Sequence, residues 1–328
     1  MSSTLSRSLT PAPFEPRFVR LKQSARQSIF YIGAFFARAY CDMQIHELLA
    51  HDAGKDHPPY PLTYSFCTLV TDFREYTTML ESFASKGFSV NDCEFLYLDN
   101  TRGNAHDAYS GYNLLMRRAR GKYIVLCHQD IELIGDERIK LDNLLAELTN
   151  FDPYWALCGN SGADENGHLT IRISDPYGKN RKVGGPYPSK VVSLDENFII
   201  VRRDANLGLS RDLHGFHWYG TDLCLVADIL GWNSYVIDFH LKHKSAGYLN
   251  EDFYRLRLDL RRTLGRAFRP RWQYGATLRP FYITSNNAVF FISEQYLRTR
   301  TLINRILGSG IRATWKLIKL FDRMARQG

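Results

Sequence analysis

Two acidic side chains stand just past apolar runs that are typical of buried strands. Asp99 follows Glu94-Phe-Leu-Tyr-Leu98, and His128-Gln129-Asp130 follows Lys122-Tyr-Ile-Val-Leu-Cys127. Polar groups at the carboxyl ends of strands in an α/β sheet line its ligand cleft. In such a cleft Asp99 could accept hydrogen bonds from a base or ribose, and Asp130 could hold a divalent cation against a diphosphate. The alternative is that both residues only cap turns.

A third carboxylate, Asp222, lies at the start of an amphipathic run that ends at Gly231. In the first turn of a helix this carboxylate would cap backbone N–H groups and favour the helix dipole. Held there at the edge of a cleft, it could also take a proton from an acceptor hydroxyl. His243 follows a further apolar run, where a histidine is either an ordinary surface residue or a metal ligand.

The elements that must position these side chains are short apolar runs that alternate with amphipathic segments from Tyr64 onward. This order predicts a sheet of parallel strands with helices on both faces. The predicted strands are 65–70, 94–98, 122–127, 155–158, 169–173, 197–202 and 233–239, and the predicted helices are 76–85, 105–118, 137–149 and 220–231. We therefore expect one α/β domain at 62–250, between an N-terminal helical extension and linker at 1–61 and a basic helical region at 251–328.

Length and composition favour a folded intracellular protein. The 328 residues, 45% of them hydrophobic, allow a sizeable core. The six cysteines form no Cys-x-x-Cys pair and show no zinc-finger spacing, which favours buried, reduced thiols in a cytosolic protein. Near the N-terminus, the helical spacing of apolar residues within 17–50 predicts one or two helices. Neither a signal peptide nor a membrane span is apparent there.

The net charge of +8 is concentrated in the C-terminal third. From Arg298 to Gly328, eight Lys/Arg residues face Asp322 alone, and between Phe253 and Trp272 seven Arg face Asp259 alone. Apolar residues recur at helical spacing along the basic tail, which is typical of a cationic helix on an anionic membrane surface. A helix docked on the main domain with a solvated basic face fits equally. No base-reading motif accompanies the arginines, so no nucleic-acid partner is expected.

The order of these motifs resembles the GT-A glycosyltransferases of the inverting family-2 type, and most of all a bacterial glycosyltransferase-like group. In that group His-Gln-Asp follows the third strand in place of Asp-x-Asp, and His-x-Tyr-x-x-Asp-x-Cys-x-x-Ala-x-x-x-Gly lies downstream. The second motif is matched here by His217, Tyr219, Asp222, Cys224, Ala227 and Gly231. The resemblance implies a GT-A (Rossmann-like) α/β fold, with a mixed, mostly parallel sheet flanked by helices and helical extensions at both ends.

The resemblance also implies a role for each matched position. The positions implied to contact the nucleotide-sugar donor are Val70, Thr71, Asp99, Asn104, Asn113, His128 and Gln129. A divalent cation, Mn²⁺ or Mg²⁺, would be held by Asp130 and His243, and His128 suits a transition metal better than Mg²⁺. The positions implied to contact the acceptor are Asp195, Glu196, His217 and Tyr219, although Asp195 and Glu196 equally fit a turn.

The implied activity is transfer of a hexosyl group from a nucleoside-diphosphate-sugar to an acceptor hydroxyl, with Asp222 as base and inversion at the anomeric carbon. The expected acceptor is a glycan, a cell-surface polysaccharide under assembly or a lipid-linked glycan, and the expected location is the cytoplasm or the inner face of the membrane. Two alternatives stay open. One is a GT-A domain without catalysis that binds glycans or partners, and the other is a nucleotidyltransferase, whose usual Gly-rich loop is here Thr71-Asp-Phe-Arg74-Glu.

Overall fold

The computed structural model describes residues 60–247, 250–274, 276 and 280–307. These residues belong to one compact unit that begins at Tyr60. The helices predicted at 17–50 and the basic tail beyond residue 307 lie outside the described residues.

Several helices begin at a side chain that accepts a hydrogen bond from a free backbone N–H group. Asp72 accepts from Arg74, Asp107 from Ser110, and Asn250 from Phe253. Within the described residues the helices are α1 (Phe73–Ser85), α2 (Ala108–Arg118), α3 (Arg138–Phe151), α4 (Tyr219–Ile229), α5 (Glu251–Gly265) and α6 (Asn287–Leu307), with a 3₁₀ turn at Arg203–Ala205.

The described strands vary from two to nine residues in length. In chain order they are β1 (Leu62–Val70), β2 (Cys93–Asp99), β3 (Gly121–Cys127), β4 (Ile131–Glu132), β5 (Trp155–Gly159), β6 (Ser161–Ala163), β7 (Leu169–Asp175), β8 (Gly178–Val183), β9 (Ser189–Val191), β10 (Ser193–Leu194), β11 (Phe198–Arg202), β12 (Asn233–Val236), β13 (Leu241–His243), β14 (Arg271–Tyr274) and β15 (Pro280–Ile283).

In the described part of the chain, seven strands form a central sheet in the order β2-β1-β3-β11-β5-β12-β9. The β2-β1, β1-β3 and β5-β12 pairs are parallel. β11 runs antiparallel to both of its neighbours, and β9 runs antiparallel to β12. Five of these seven strands therefore share one direction, which confirms the predicted mixed, mostly parallel α/β sheet flanked by helices.

A second sheet has the strand order β10-β6-β7-β13-β4, with β8 paired to β7. β13 lies parallel to β7 and antiparallel to β4, and its His243 is opposite Ile131. This pairing brings the end of β13 next to the residues that follow β3. A separate hairpin of β14 and β15 packs against α6.

The hydrophobic core lies on both faces of the central sheet, because side chains alternate along each strand. On one face Phe66 of β1 packs with side chains of α1 and α3, such as Phe83 and Leu145. On the other face Cys67 packs in a cluster formed by α2, α4 and α5, to which α5 contributes Leu256 and Leu260. α5, which the sequence assigns to a separate C-terminal region, thus completes the second core.

Two general expectations concern cysteines and membrane spans. Cys67, Cys93, Cys127, Cys158 and Cys224 are buried and free, so they act as small apolar side chains, as expected. Among the helices that the structure describes, none combines the length and the apolar character needed to cross a bilayer.

Candidate functional site

A cavity of about 820 Å³ opens at the carboxyl ends of β1 and β3. Thr71 follows β1, and His128 to Asp130 follow β3, so the sheet supplies one side of the cavity. Residues from β7 and β13 of the second sheet and from the start of α4 line the rest. This is the position at which an open α/β sheet binds its ligands.

Three side chains in this cavity could hold a metal ion: His128, Asp130 and His243. His128 Nδ1 lies 3.2 Å from His243 Nε2, and His243 Nε2 lies 3.3 Å from Asp130 Oδ1. The three ligand atoms all lie within 4.8 Å of one another. The register of β13 against β4 brings them together, because it places His243 beside the residue that follows Asp130.

A hydrogen bond from His128 to Tyr219 fixes which ring nitrogen of His128 faces the cluster. The Tyr219 hydroxyl donates to the carbonyl oxygen of Glu196 at 2.8 Å, so toward His128 it is left to accept a proton. His128 Nε2, 3.1 Å from that hydroxyl, therefore carries the hydrogen, and Nδ1 presents its lone pair to Asp130 and His243. Such outer contacts orient a metal-binding imidazole.

The local charges favour protonation states that bind a cation. Burial and the neighbouring His243 lower the pKa of His128, while Asp130 and Asp195 oppose this shift. Burial alone would raise the pKa of Asp130, but its hydrogen bond to His243 and the charges of both histidines lower it to about 2. At neutral pH the cluster therefore offers a neutral imidazole and an ionised carboxylate, the forms that coordinate metals.

This donor set fits a divalent cation. Two imidazoles and one carboxylate suit Mn²⁺ and later transition metals better than Mg²⁺, which prefers oxygen ligands. A cation held by these three residues alone would still need further ligands, which a molecule bound in the cavity could supply.

A second group of side chains that lines the cavity consists of carboxylates and aromatic rings. Asp195 and Glu196, between β10 and β11, line it together with Trp218 at the start of α4. The ring of Trp218 packs against that of Phe253 from α5, with centroids 4.5 Å apart, and Trp218 Nε1 donates to the Phe253 carbonyl. Trp218 has a φ of 66°, a left-handed conformation that is unusual for a bulky residue and is found mainly at functional sites.

Of the donor-binding positions predicted near β1, the structure brings Thr71 and Gln129 into the cavity. The Gln129 side chain accepts from the backbone N–H groups of Thr71 and Asp72 and donates to the Thr71 hydroxyl at 2.7 Å. Gln129 thus ties the end of β3 to the end of β1. The side chain of Val70 instead packs in the core, and its neighbour Leu69 lines the cavity.

Three other predicted donor positions lie outside the cavity lining. Asp99 is exposed, and the hydroxyl and backbone N–H of Thr101 lower its pKa by hydrogen bonding. Asn104 is exposed in the following turn. Asn113 uses its amide to bind both the N–H and the carbonyl of Leu209, so it fixes a loop. The neighbour of Asp99, Asn100, is the residue that reaches the cavity.

The structure corrects the prediction that Asp222 faces the cleft. The Asp222 side chain is fully buried, and its two oxygens accept from the backbone N–H and the hydroxyl of Ser210, each at 2.7 Å. Burial raises the pKa of Asp222, and the Ser210 contacts oppose that rise. Asp222 therefore anchors the loop at 206–213 to α4, whereas Tyr219 and Thr221 of the same helix line the cavity.

The two predicted acceptor-binding residues of the third motif do line the cavity. His217 packs edge-on against Phe253, with ring centroids 5.5 Å apart. Tyr219 is buried, and its hydroxyl is occupied by Glu196 and His128, so it orients His128 within the cluster.

Sequence reasoning missed the residues that the β7–β8 hairpin contributes to the cavity. Asp175, Tyr177 and Arg181 line it, and Arg181 pairs with Asp175 at 2.5 Å. In the sequence, a Tyr and an Arg close to an Asp in a Gly-containing hairpin are only a weak indication of a binding site. The second sheet, which was not predicted as a unit, is what brings these residues to the cavity. Phe253 was missed because the domain boundary was placed before it.

Comparison with known proteins identifies a relative. No family model matches the chain. The protein called ATP synthase subunits region ORF 6 from Fuscovulum blasticum is 37% identical over 220 residues, which cover 65% of this chain and 88% of that protein. The chain belongs to the ORF 6 family. The name of this family states no activity, so function has to come from the site.

Solved structures similar to this ORF 6 family member are distant. Staphylococcus aureus TarS in complex with UDP-GlcNAc is 12% identical with a TM-score of 0.42, over 62% of this chain and 66% of TarS 1-349. GalNAc-T7 with UDP, GalNAc and Mn²⁺ is 8% identical with a TM-score of 0.44, over 63% of this chain and 48% of that one. The chain thus spans less than two thirds of each. Because both TM-scores are below 0.5, the functional argument rests on the chain's own residues.

Proposed function

We propose that this protein is a metal-dependent glycosyltransferase of the GT-A type that moves a sugar from a nucleoside-diphosphate-sugar to an acceptor hydroxyl. The observation that carries the proposal is one cavity that holds two chemically different groups of side chains. One group is His128, Asp130 and His243, and the other is Asp195 and Glu196 beside aromatic rings. A cation site for a diphosphate and a separate group of carboxylates for an alcohol are what this reaction needs.

The donor would bind with its diphosphate at the histidine and aspartate cluster. A bound divalent cation would offset the negative charge that develops on the leaving diphosphate. Arg181, which also lines the cavity, adds a fixed positive charge that pairs well with phosphate oxygens. Thr71 and Asn100, which line the cavity at the ends of β1 and β2, would contact the nucleoside.

The acceptor would bind at the aromatic side chains. Phe216, Trp218 and Phe253 line the cavity, and flat aromatic faces suit the apolar faces of sugar rings. We therefore propose a glycan or lipid-linked glycan as acceptor, in assembly of a cell-surface polysaccharide. Direct displacement by its hydroxyl, with inversion at the anomeric carbon, is the proposed course of transfer of a hexosyl group.

A contact with the inner face of the membrane is a second part of this proposal. α6 exposes consecutive apolar side chains, with Phe290, Phe291 and Ile292 exposed by 51%, 62% and 66%. The chain after Arg298 is strongly basic. Exposed aromatic residues beside basic ones favour the surface of an anionic bilayer, so a cytoplasmic protein of this kind would meet a lipid-linked acceptor there.

Isothermal titration tests the donor site directly. The full-length protein is titrated with UDP-glucose, UDP-N-acetylglucosamine, GDP-mannose and dTDP-glucose, with and without Mn²⁺. We expect one nucleotide to bind and Mn²⁺ to strengthen its binding. In Asp130→Ala the affinity for the nucleotide-sugar in the presence of Mn²⁺ should fall by more than about 100-fold. A direct metal ligand matters more than an outer-shell contact.

Asp164→Ala is the matched control, because Asp164 lies in the turn between β6 and β7 and bonds only to neighbouring residues. Binding without turnover on any acceptor would instead favour a domain that has lost catalysis. Release of pyrophosphate from a nucleoside triphosphate would favour a nucleotidyltransferase.

A further inference from the structure

Glu196 is a carboxylate of the cavity that the metal cluster does not use. It lies between β10 and β11, lines the cavity and remains half-buried. Its backbone carbonyl accepts the Tyr219 hydroxyl, and its carboxylate faces the backbone N–H groups of Trp218, Tyr219 and Gly220. These contacts hold the side chain beside the aromatic side chains, where the acceptor is proposed to bind.

The other carboxylates of the cavity are already held by side chains. Asp130 belongs to the histidine cluster, and Asp175 is paired with Arg181. Asp195 accepts from the backbone N–H and the side-chain amide of Asn197. Among the described acidic residues that line the cavity, Glu196 is therefore the one that no side-chain donor or cation holds.

A general base must be ionised yet have an appreciable affinity for a proton. Burial, followed by the charge of Asp195, raises the pKa of Glu196 to about 8, although the three backbone N–H groups of α4 oppose this rise. Asp222, the predicted base, lies outside the cavity lining, and both of its oxygens are taken by Ser210. Placement and chemistry thus favour the same residue.

We propose that Glu196 is the general base of the transfer, an inference that rests on the proposed glycosyltransferase function. One carboxylate oxygen of Glu196 takes the proton of the acceptor hydroxyl as the acceptor oxygen bonds to the anomeric carbon. The bond from that carbon to the diphosphate breaks, and its electron pair leaves with the nucleoside diphosphate. Glu196 then passes its proton to water.

The experiment compares Glu196→Gln with Asp222→Asn in the full-length protein. The nucleotide-sugar that binds best among the four titrated above is supplied with Mn²⁺ and with methyl glucoside or water as acceptor, and release of nucleoside diphosphate is followed. Donor affinity is measured by titration, and folding by thermal unfolding. Glutamine keeps the size of the side chain and an acceptor oxygen for the α4 N–H groups, so the local fold should persist.

We expect Glu196→Gln to lower kcat by about 10²- to 10⁴-fold, the usual contribution of a general base, while donor affinity stays within about twofold. Glu196→Asp should recover part of the rate. Between pH 6 and 9, kcat/KM of the wild-type protein should rise about tenfold per unit below the pKa of Glu196 and then level off. Glu196→Gln should lose this rise.

The comparison with Glu196→Gln is what assigns the pH profile to Glu196, because the cavity is also lined by His128, His217 and His243. Asp195 on its own segment, Tyr109 and Tyr112 of α2, and Tyr219 of α4 interact with its charge. Burial raises the pKa of all three tyrosines, so they stay neutral across this range.

Three other results would contradict either the assignment of Glu196 as base or the proposed function. If Glu196→Gln keeps its rate while Asp222→Asn loses it, the base assignment is wrong and the glycosyltransferase proposal stands. If the wild-type protein binds the donor but releases no diphosphate, a catalytic role for Glu196 is overturned. If no nucleotide-sugar binds, the proposed function itself fails.

Discussion

His128 is placed where a metal motif is expected, but what it can bind depends on a residue 91 positions further along the chain. Tyr219 donates to the Glu196 carbonyl, so it accepts from His128 Nε2 and leaves the Nδ1 lone pair directed at His243 and Asp130, where a cation could bind. The sequence predicts the tyrosine as an acceptor contact. In the structure it lines the cavity and also orients His128.

Tyr219→Phe should therefore weaken Mn²⁺ binding without abolishing it. Loss of the hydroxyl frees His128 to rotate or to change tautomer, and removal of such an outer contact typically costs about 10- to 100-fold in metal affinity. Titration of the full-length protein with Mn²⁺ measures the effect. Tyr235→Phe is a suitable control, since Tyr235 is also buried and donates its hydroxyl to Asp152, which directly follows α3.

Glu196 should make the folded protein less stable as the pH rises. Its pKa is raised to about 8 in the folded state from the ordinary glutamate value of 4.5, so the folded state binds this proton more tightly than the unfolded state. The stability linked to this proton is present below pH 4.5 and is lost as the pH rises toward 8.

Glu196→Gln removes that linkage. The variant should melt at a higher temperature than the wild-type protein at about pH 8.5, and the difference should shrink at about pH 5. Differential scanning calorimetry at both values measures it. Glu165→Gln, a change at an exposed glutamate of the β6–β7 turn, should show no such dependence, and an equal difference at both pH values for Glu196→Gln would contradict the argument.

At the level of elements, six of the seven strands of the central sheet were predicted from the sequence, because apolar runs indicate them. β1, β2, β3, β5, β11 and β12 all fall on predicted runs. The second sheet was not recognised as a unit, since β4, β6, β10 and β13 contain only two or three residues each. Runs of that length carry no periodicity, and only long-range pairing makes them strands.

The close approach of α4 to β10 offers a test at this scale. A Cβ added at Gly220 would overlap the carbonyl oxygen of Leu194 and crowd Ile199. Gly220→Ala should therefore push α4 away from the sheet and lower the free energy of unfolding by about 1–3 kcal/mol, as measured by urea denaturation.

Gly265→Ala is the matched control for this substitution. A Cβ at Gly265, the last residue of α5, meets no other atom. Alanine there should leave stability unchanged or raise it by up to about 1 kcal/mol. Equal losses for the two variants would show that the contact with Leu194 is not what limits position 220.

At the scale of the described molecule, the basic C-terminal third is divided between a helix that packs in the core and a helix that exposes apolar side chains. Charge counts along the sequence located the basic character in the C-terminal third, but they gave no boundary between α5, which belongs to the core, and α6, which exposes its aromatic residues. An arginine-rich helix shows the same charge pattern in the sequence whether it packs on the core or lies exposed. The packing of Leu256 and Leu260 decides between them.

The membrane proposal predicts that the full-length protein co-sediments with vesicles containing phosphatidylglycerol and not with neutral ones. Binding should weaken as salt rises from about 0.05 to 0.5 M, because screening shortens the reach of the basic residues. Phe291→Ser combined with Ile292→Ser should reduce binding at any salt, since both side chains are exposed. Val90→Ser, a change at another exposed apolar residue remote in sequence, is the control, and vesicle binding that ignores lipid charge would contradict the proposal.

The pairing of β13 with β4 also limits which insertions and deletions this chain can accept during evolution. His243 is flanked by Lys242 and Lys244, whose ammonium groups bind Glu132 on the outside of the sheet. Because adjacent strand residues face opposite sides, inserting or deleting one amino acid between Phe239 and His243 would swing a lysine into the place of the imidazole. Sequences that keep this histidine beside Asp130 must therefore preserve the length of the segment between Phe239 and His243.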